Sequence, residues 1–147
     1  MSNDISNKII RLREAEDVLY TELQKIIIYE KTVLADGNYE KFDPIMEKKK
    51  NIMYKINIFE AELQTIKKRM SVSDKSVLVE VNKKEKLLAE KVAAIQSMED
   101  ANIKIIIEKL AEINKEVGTF GKKKHLEKHF GAYKSSPMSS KVFDAMI

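Results

Sequence analysis

Apolar residues recur along this chain in steps of three and four, and almost nowhere in strict alternation. Residues three or four apart share one face of an α-helix, so the pattern predicts helices and no sheet. Three stripes can be followed. The first, over residues 5–35, occupies positions 5, 9, 12, 16, 19, 23, 26, 30 and 33. It is apolar at Ile5, Ile9, Leu12, Leu19, Leu23, Ile26 and Val33, and Glu16 and Glu30 interrupt it. The second, over residues 40–70, is Phe42, Ile45, Lys49, Ile52, Ile56, Phe59, Leu63, Ile66 and Met70, polar only at Lys49. The third, over residues 75–120, carries Leu78, Val81, Leu88, Val92, Ile95, Met98, Ile103, Ile106, Leu110, Ile113, Val117 and Phe120. Its spacing at 95, 99, 103 and 106 runs 4-4-3, a shift that would locally unwind a strict seam. A charged residue on a seam costs stability but can fix register.

The breaks between stripes carry turn chemistry. Asp36-Gly37-Asn38 suits a helix end, with Gly37 at the left-handed position that closes it. Asp43 before Pro44 reads as an N-cap followed by the first helical residue. Ser71-Val72-Ser73-Asp74 offers caps for the third helix. Such short connections make antiparallel neighbours. The expected architecture is all-α: an antiparallel three-helix bundle, or long helical hairpin, with an extended third helix. At about 1.5 Å per residue the third helix would be roughly 70 Å long and the first two about 45 Å. It should then overhang the turn at Gly37 by about 15 residues, or roughly 20 Å. The overhanging stripe, Ile106, Leu110, Ile113, Val117 and Phe120, would need a cover: the chain's own tail, a second copy or a partner. Leaving each large side chain wet costs on the order of 1.5–3 kcal/mol.

Charge divides the chain differently. Over residues 1–120 the 21 Lys and Arg cancel the 21 Asp and Glu, so the whole net charge of +4 belongs to residues 121–147. A bundle domain (1–120) followed by a basic, partly flexible tail (121–147) is therefore expected. Residues 139–147 form a short amphipathic end, apolar at Val142, Phe143, Met146 and Ile147. A neutral body argues against a nucleic-acid-coating surface. The run Lys122-Lys123-Lys124 near Phe120, Phe130 and Tyr133 leaves nucleic-acid binding by the tail as a rival. The chain has no cysteine, which excludes disulfides and cysteine–zinc sites. No basic stretch leads an apolar core near Met1, and no apolar run is long enough to span a bilayer. A soluble cytoplasmic protein, with no direct membrane insertion, is expected.

Candidate chemistry is sparse. His125 and His129 stand at i, i+4, but two ligands flanked by Lys124 and Lys128 are too few for a metal. They read as solvated polar residues. The four glycines form no phosphate loop, and no nucleophile has a local signature. Glu99-Asp100 reads as a pair of carboxylates on a charged surface. The expectation is a non-enzyme without cofactor or metal, acting through apolar helix faces.

The run from Leu23 through Gly37 to Phe42, a helix with a small acidic turn, resembles the first hairpin of FlgN-type flagellar export chaperones. The lysine-bearing second helix, Glu47-Lys48-Lys49-Lys50-Asn51-Ile52-Met53, extends the likeness. So does an asparagine ahead of an apolar run, Asn102-Ile103-Lys104-Ile105-Ile106-Ile107, and so does the tyrosine of Gly131-Ala132-Tyr133-Lys134-Ser135. The resemblance implies a chaperone for hook–filament junction (hook-associated) proteins of the flagellum. It would hold them before type III secretion and deliver them to the cytoplasmic domain of the export gate. It implies client binding by the end of the third helix, here Asn102, Ile106, Leu110, Ile113, Val117 and Phe120, and export-gate contact through Tyr133. A homo-oligomeric coiled-coil adaptor, with the overhang paired in a homodimer, is the other alternative.

Overall fold

The computed structural model describes residues 2–70, 79–114 and 120–134, and among these every regular element is helical. Helix α1 spans Ser2–Asp36, α2 Phe42–Lys68, α3 Val79–Ile113 and α4 Phe120–Lys134, with a 3-10 turn at Tyr39–Lys41. The chain is an all-α bundle, as the periodicity predicts. Gly37 closes α1 at φ 76°, and its N–H donates to the Val33 carbonyl at 3.0 Å. That left-handed backbone favours glycine because it carries no Cβ. α2 starts two residues before Pro44, with Lys41 rather than Asp43 at the N-cap. The proline still falls in the first turn, where its missing N–H had no intrahelical partner to lose.

Helix α1 is the middle element, packed on α2 on one side and α3 on the other. Because it faces two neighbours it buries two adjacent stripes: Ile9, Arg13, Glu16, Tyr20, Leu23, Ile27, Glu30 and Leu34, with Leu19 and Val33 beside them. The single stripe expected from apolar spacing is thus half of the truth. The ordered pairs Asp17–Lys91, Gln24–Met98 and Ile27–Asn102 keep a sequence offset of 74 or 75. So α1 and α3 run parallel in matched register, and Ile113 lies level with the turn at Asn38 and Tyr39.

Helix α3 carries a regular seam where the apolar count found a shift. Its buried residues are Val81, Leu88, Val92, Ile95, Glu99, Asn102, Ile106 and Ile113, all on 4-3 spacing or its seven-residue multiple. The seam passes through Glu99 and Asn102, which an apolar count skips, and Ile103 is only half-buried. Glu99 is therefore not the surface carboxylate expected.

Down the bundle, apolar and polar layers alternate. Ile9, Leu63 and Val81 fill one end, which we call the first end. Leu19, Tyr20, Leu23, Ile27, Ile52, Met53, Ile56, Leu88, Val92 and Ile95 form the middle. Val33, Leu34, Tyr39, Phe42, Ile45, Ile106, Ile113 and Leu126 fill the turn end. A polar layer around Arg13 separates the first two, and one around Glu30 separates the last two. Each large apolar side chain sealed this way contributes about 1.5–3 kcal/mol.

Candidate functional site

The turn end of the bundle departs most from the sequence-based expectation. Helix α3 does not project past the hairpin as one rod to residue 120. It ends at Ile113, with the Asn114 N–H donating back to the Leu110 carbonyl at 3.0 Å. The chain re-enters as α4, which packs against α2, α3 and the 3-10 turn. The stretch 121–134, expected as flexible tail, is this helix. Among the described side chains of α4, Leu126 and His129 are fully buried and Phe130 partly so, while Lys122, Lys124, Glu127 and Lys128 are exposed. That thin stripe is why the sequence did not announce a helix here.

Leu126 joins Ile106 and Ile113 of α3 and Tyr39, Phe42 and Ile45 from the start of α2 in one cluster. Leu110, Ile105 and Phe130 lie at its edge. The rings of Tyr39 and Phe42 stack with centroids 5.5 Å apart, and the His129 imidazole stacks on Phe42 at 4.0 Å and 11°. His129 is 1% exposed, so it is not the solvated residue expected; His125 is half-buried.

Beneath these rings lies the second polar layer. Glu30, fully buried on α1, takes Lys49 Nζ of α2 on Oε2 at 2.8 Å, and His129 Nε2 meets the same oxygen at 2.6 Å. Asn102 Nδ2 donates to Glu30 Oε1 at 2.8 Å and to the Ile27 carbonyl at 3.1 Å. Lys49 also pairs with Glu99 Oε1 at 2.7 Å. The polar seam positions noted on the first two helices, Glu30 and Lys49, thus satisfy each other, and α3 and α4 complete the set.

The electrostatics split the two carboxylates around Lys49. For Glu30, burial pushes upward, but the His129 hydrogen bond and the Lys49 charge outweigh it and bring the carboxyl down to about 2. For Glu99, burial dominates over the attraction of Lys49, Glu30 adds repulsion, and the carboxyl rises to about 7. One lysine serves two carboxylates, and only one of them is held firmly ionised. The layer is sealed: Glu30, Asn102 and His129 expose 1% of their surface or less. A buried, mutually satisfied set of this kind ties the register of α1, α2, α3 and α4 together at this level.

The residues named for client binding sort accordingly. Asn102 and Ile106 are buried within the bundle, Ile113 is 8% exposed, and Leu110 is half-buried at the rim beside α4. These four are brought onto one edge. Val117 lies outside the described residues, and Phe120 and Tyr133 stand near the two ends of α4. The apolar stripe expected to overhang and to need a cover is thus covered, from Ile106 to Ile113, by the hairpin turn and by α4. Sequence reasoning missed His129, Leu126 and Glu99 as parts of this site. Leu126, His129 and Phe130 do stand at helical spacing, and Glu99 and Asn102 continue the 4-3 register from Ile95 to Ile106. Those were the signals available.

Comparison with models of protein families, with curated proteins and with solved structures finds no match. No helix among the described residues is long and apolar enough to cross a membrane, and no group of three or more His, Cys, Asp and Glu side chains there could hold a metal ion.

Proposed function

We propose that this chain is a non-enzymatic helical chaperone of the FlgN type, and that its client helix takes the seat α4 fills. The observation that carries the reading is the way α4 is held. A 15-residue helix closes an apolar edge of the bundle through Leu126, His129 and Phe130. An apolar edge that accepts one helix is suited to accept another. The covered edge replaces the bare overhang as the physical basis of the reading: α4 keeps the edge dry until a client competes for it. Ile106, Leu110 and Ile113 form the floor of that seat, and Asn102 sits below it.

Under this reading the clients are hook–filament junction proteins of the flagellum, whose terminal helices would otherwise assemble early. The complex forms in the cytoplasm, and the segment around Tyr133, at the far end of α4, meets the export gate. Displacing α4 would move Tyr133 and free it for that contact, coupling client loading to delivery.

The test uses full-length protein and the junction proteins of the same cell. Leu126→Asp removes the apolar anchor of α4 without touching α1, α2 or α3. It should strengthen client binding, because a closed state lowers apparent affinity by the fraction that is open. A cover worth about 1.5–3 kcal/mol corresponds to roughly 10- to 150-fold. Ile113→Asp, on the floor, should abolish binding. Unchanged affinity in Leu126→Asp, with the bundle's helicity retained, would overturn the displacement. Wild-type affinity in Ile113→Asp would overturn the site.

A further inference from the structure

A second surface lies on the other helix pair. Between α1 and α2 a groove of about 380 Å³ is lined by Lys25, Ile26, Tyr29, Lys41, Pro44, Ile45 and Lys48, with no residue of α3 or α4 among them. Its size falls within the range of side-chain and ligand-binding clefts. Its floor is apolar: Ile26 and Ile45 belong to the packed core, while Tyr29 is 46% exposed and Ile28 beside it 53%. Its rim is cationic. Lys25, Lys41 and Lys48 are all exposed, no acidic residue lines the groove, and none of the three lysines forms an ion pair among the described residues.

That last point separates them from several other lysines. Lys49, Lys67, Lys91 and Lys128 each sit within 3.2 Å of a carboxylate oxygen. Residues 1–120 sum to zero charge, yet the lining of this apolar hollow carries three lysines and no acidic side chain, so its rim is locally cationic. A partner carboxylate would supply the counter-charge that this rim lacks.

We infer that the Lys25–Lys41–Lys48 groove between α1 and α2 docks an acidic amphipathic helix of a partner protein. Its apolar side chains enter over Tyr29, Pro44 and Ile45, and its carboxylates meet the three lysines. A nucleic acid suits the surface less well. Three cations set around an apolar pit do not follow a phosphate backbone, and one half-exposed tyrosine is a meagre stacking platform. The groove shares Ile45 with the turn-end cluster but takes no residue from α3 or α4, and its lysines lie outside the proposed client seat, so this inference stands whether or not the client reading does.

The probe is a synthetic 18-residue helix with leucines at helical spacing and glutamates elsewhere, titrated against the full-length protein. Its control carries lysine in place of every glutamate. The glutamate peptide should bind, weaken as salt rises, and shift the amide resonances of residues 25–29 and 41–48. The lysine peptide should not bind. Combining Lys25→Glu, Lys41→Glu and Lys48→Glu should cost at least about tenfold in affinity, as expected for three lost partly exposed pairs. Lysine and glutamate have similar helix propensity, so helicity should hold. Tyr29→Asp gives a second, independent loss at a side chain that is already half out. Undiminished affinity in the triple variant would overturn the inference. So would resonance shifts confined to α3 and α4, equal binding of the lysine peptide, or binding of single-stranded DNA to these lysines in place of the glutamate peptide.

Discussion

The two polar layers use the same device and complete it differently. Around Arg13, which is fully buried, the guanidinium donates to Glu16 and Glu60, each at 2.7 Å, and reaches Glu85 at 3.3 Å. Every member belongs to one of the three long helices. Around Glu30, α1, α2 and α3 supply a carboxylate, a lysine, a second carboxylate and an amide, but His129 arrives from α4. In both layers one cation serves more than one carboxylate, and one carboxyl is driven upward. Burial raises Glu16 to about 8 against the pull of Arg13, with Glu60 reinforcing the rise, and burial raises Glu99 to about 7. The difference is one of permanence. Opening the Arg13 layer would require separating the three long helices, whereas the Glu30 layer draws one member, His129, from the shorter fourth helix.

Substitutions should divide along that line. Arg13→Leu leaves buried carboxylates without their cation and should cost about 3–5 kcal/mol of global stability, read from the urea midpoint. Replacing Arg13, Glu16 and Glu60 together by apolar residues of similar volume should recover most of that loss, since the layer contributes specificity more than net stability. Leu126→Ala removes a fully buried side chain, a change worth about 2–5 kcal/mol in a core. Here the loss should fall on the docking of α4: near-ultraviolet signal from Tyr39 should change while the urea midpoint of the bundle moves little.

The carboxyl shifts give a pH dependence of defined sign. Glu16 and Glu99 have folded values above the ordinary carboxylate value. Their stabilising contribution is complete below that ordinary value and is lost as pH rises toward about 7 and 8. Glu30 is opposite: its contribution is present above the ordinary value and is lost as pH falls toward about 2. Thermal stability should therefore peak near the ordinary carboxylate value and decline toward pH 8. Glu99 alone should account for on the order of 3 kcal/mol of that decline. Glu99→Gln should flatten the upper limb, and a profile that rises from pH 5 to 8 would contradict the assignment. At the bottom of the scale, Lys128→Ala breaks a 3.2 Å pair with Asp43 that is mostly in solvent. It should change stability by less than about 1 kcal/mol.

Much of the fold was legible because the bundle obeys one period. The three long helices, the glycine turn and the proline at the head of α2 all follow from spacing and turn chemistry. What apolar spacing could not show was the phase of a seam that runs through buried polar residues. Glu99 and Asn102 occupy core positions, so the count jumped to Ile103 and reported a drift. Arg13 and Glu60 were passed over for the same reason, as a lone charge in a sequence gives no sign that its partners wait on another helix. The need for a cover over the end of the third stripe was legible, and the chain's own tail was one of the covers expected; that this cover is a helix, α4, was not. Among the described side chains of α4 the buried ones are Leu126, His129 and, in part, Phe130, a stripe too thin to stand out among lysines.

Native-state hydrogen exchange on wild type and Leu126→Asp tests the account most directly, because it reads each helix separately. The account predicts that amides of residues 122–132 exchange through a local opening well below the global free energy. In Leu126→Asp they should lose protection altogether, while residues 9–34 and 88–106 keep theirs. Loss of protection in all four helices together, with a matching fall in the urea midpoint, would show α4 to be integral to one cooperative core and would contradict the account.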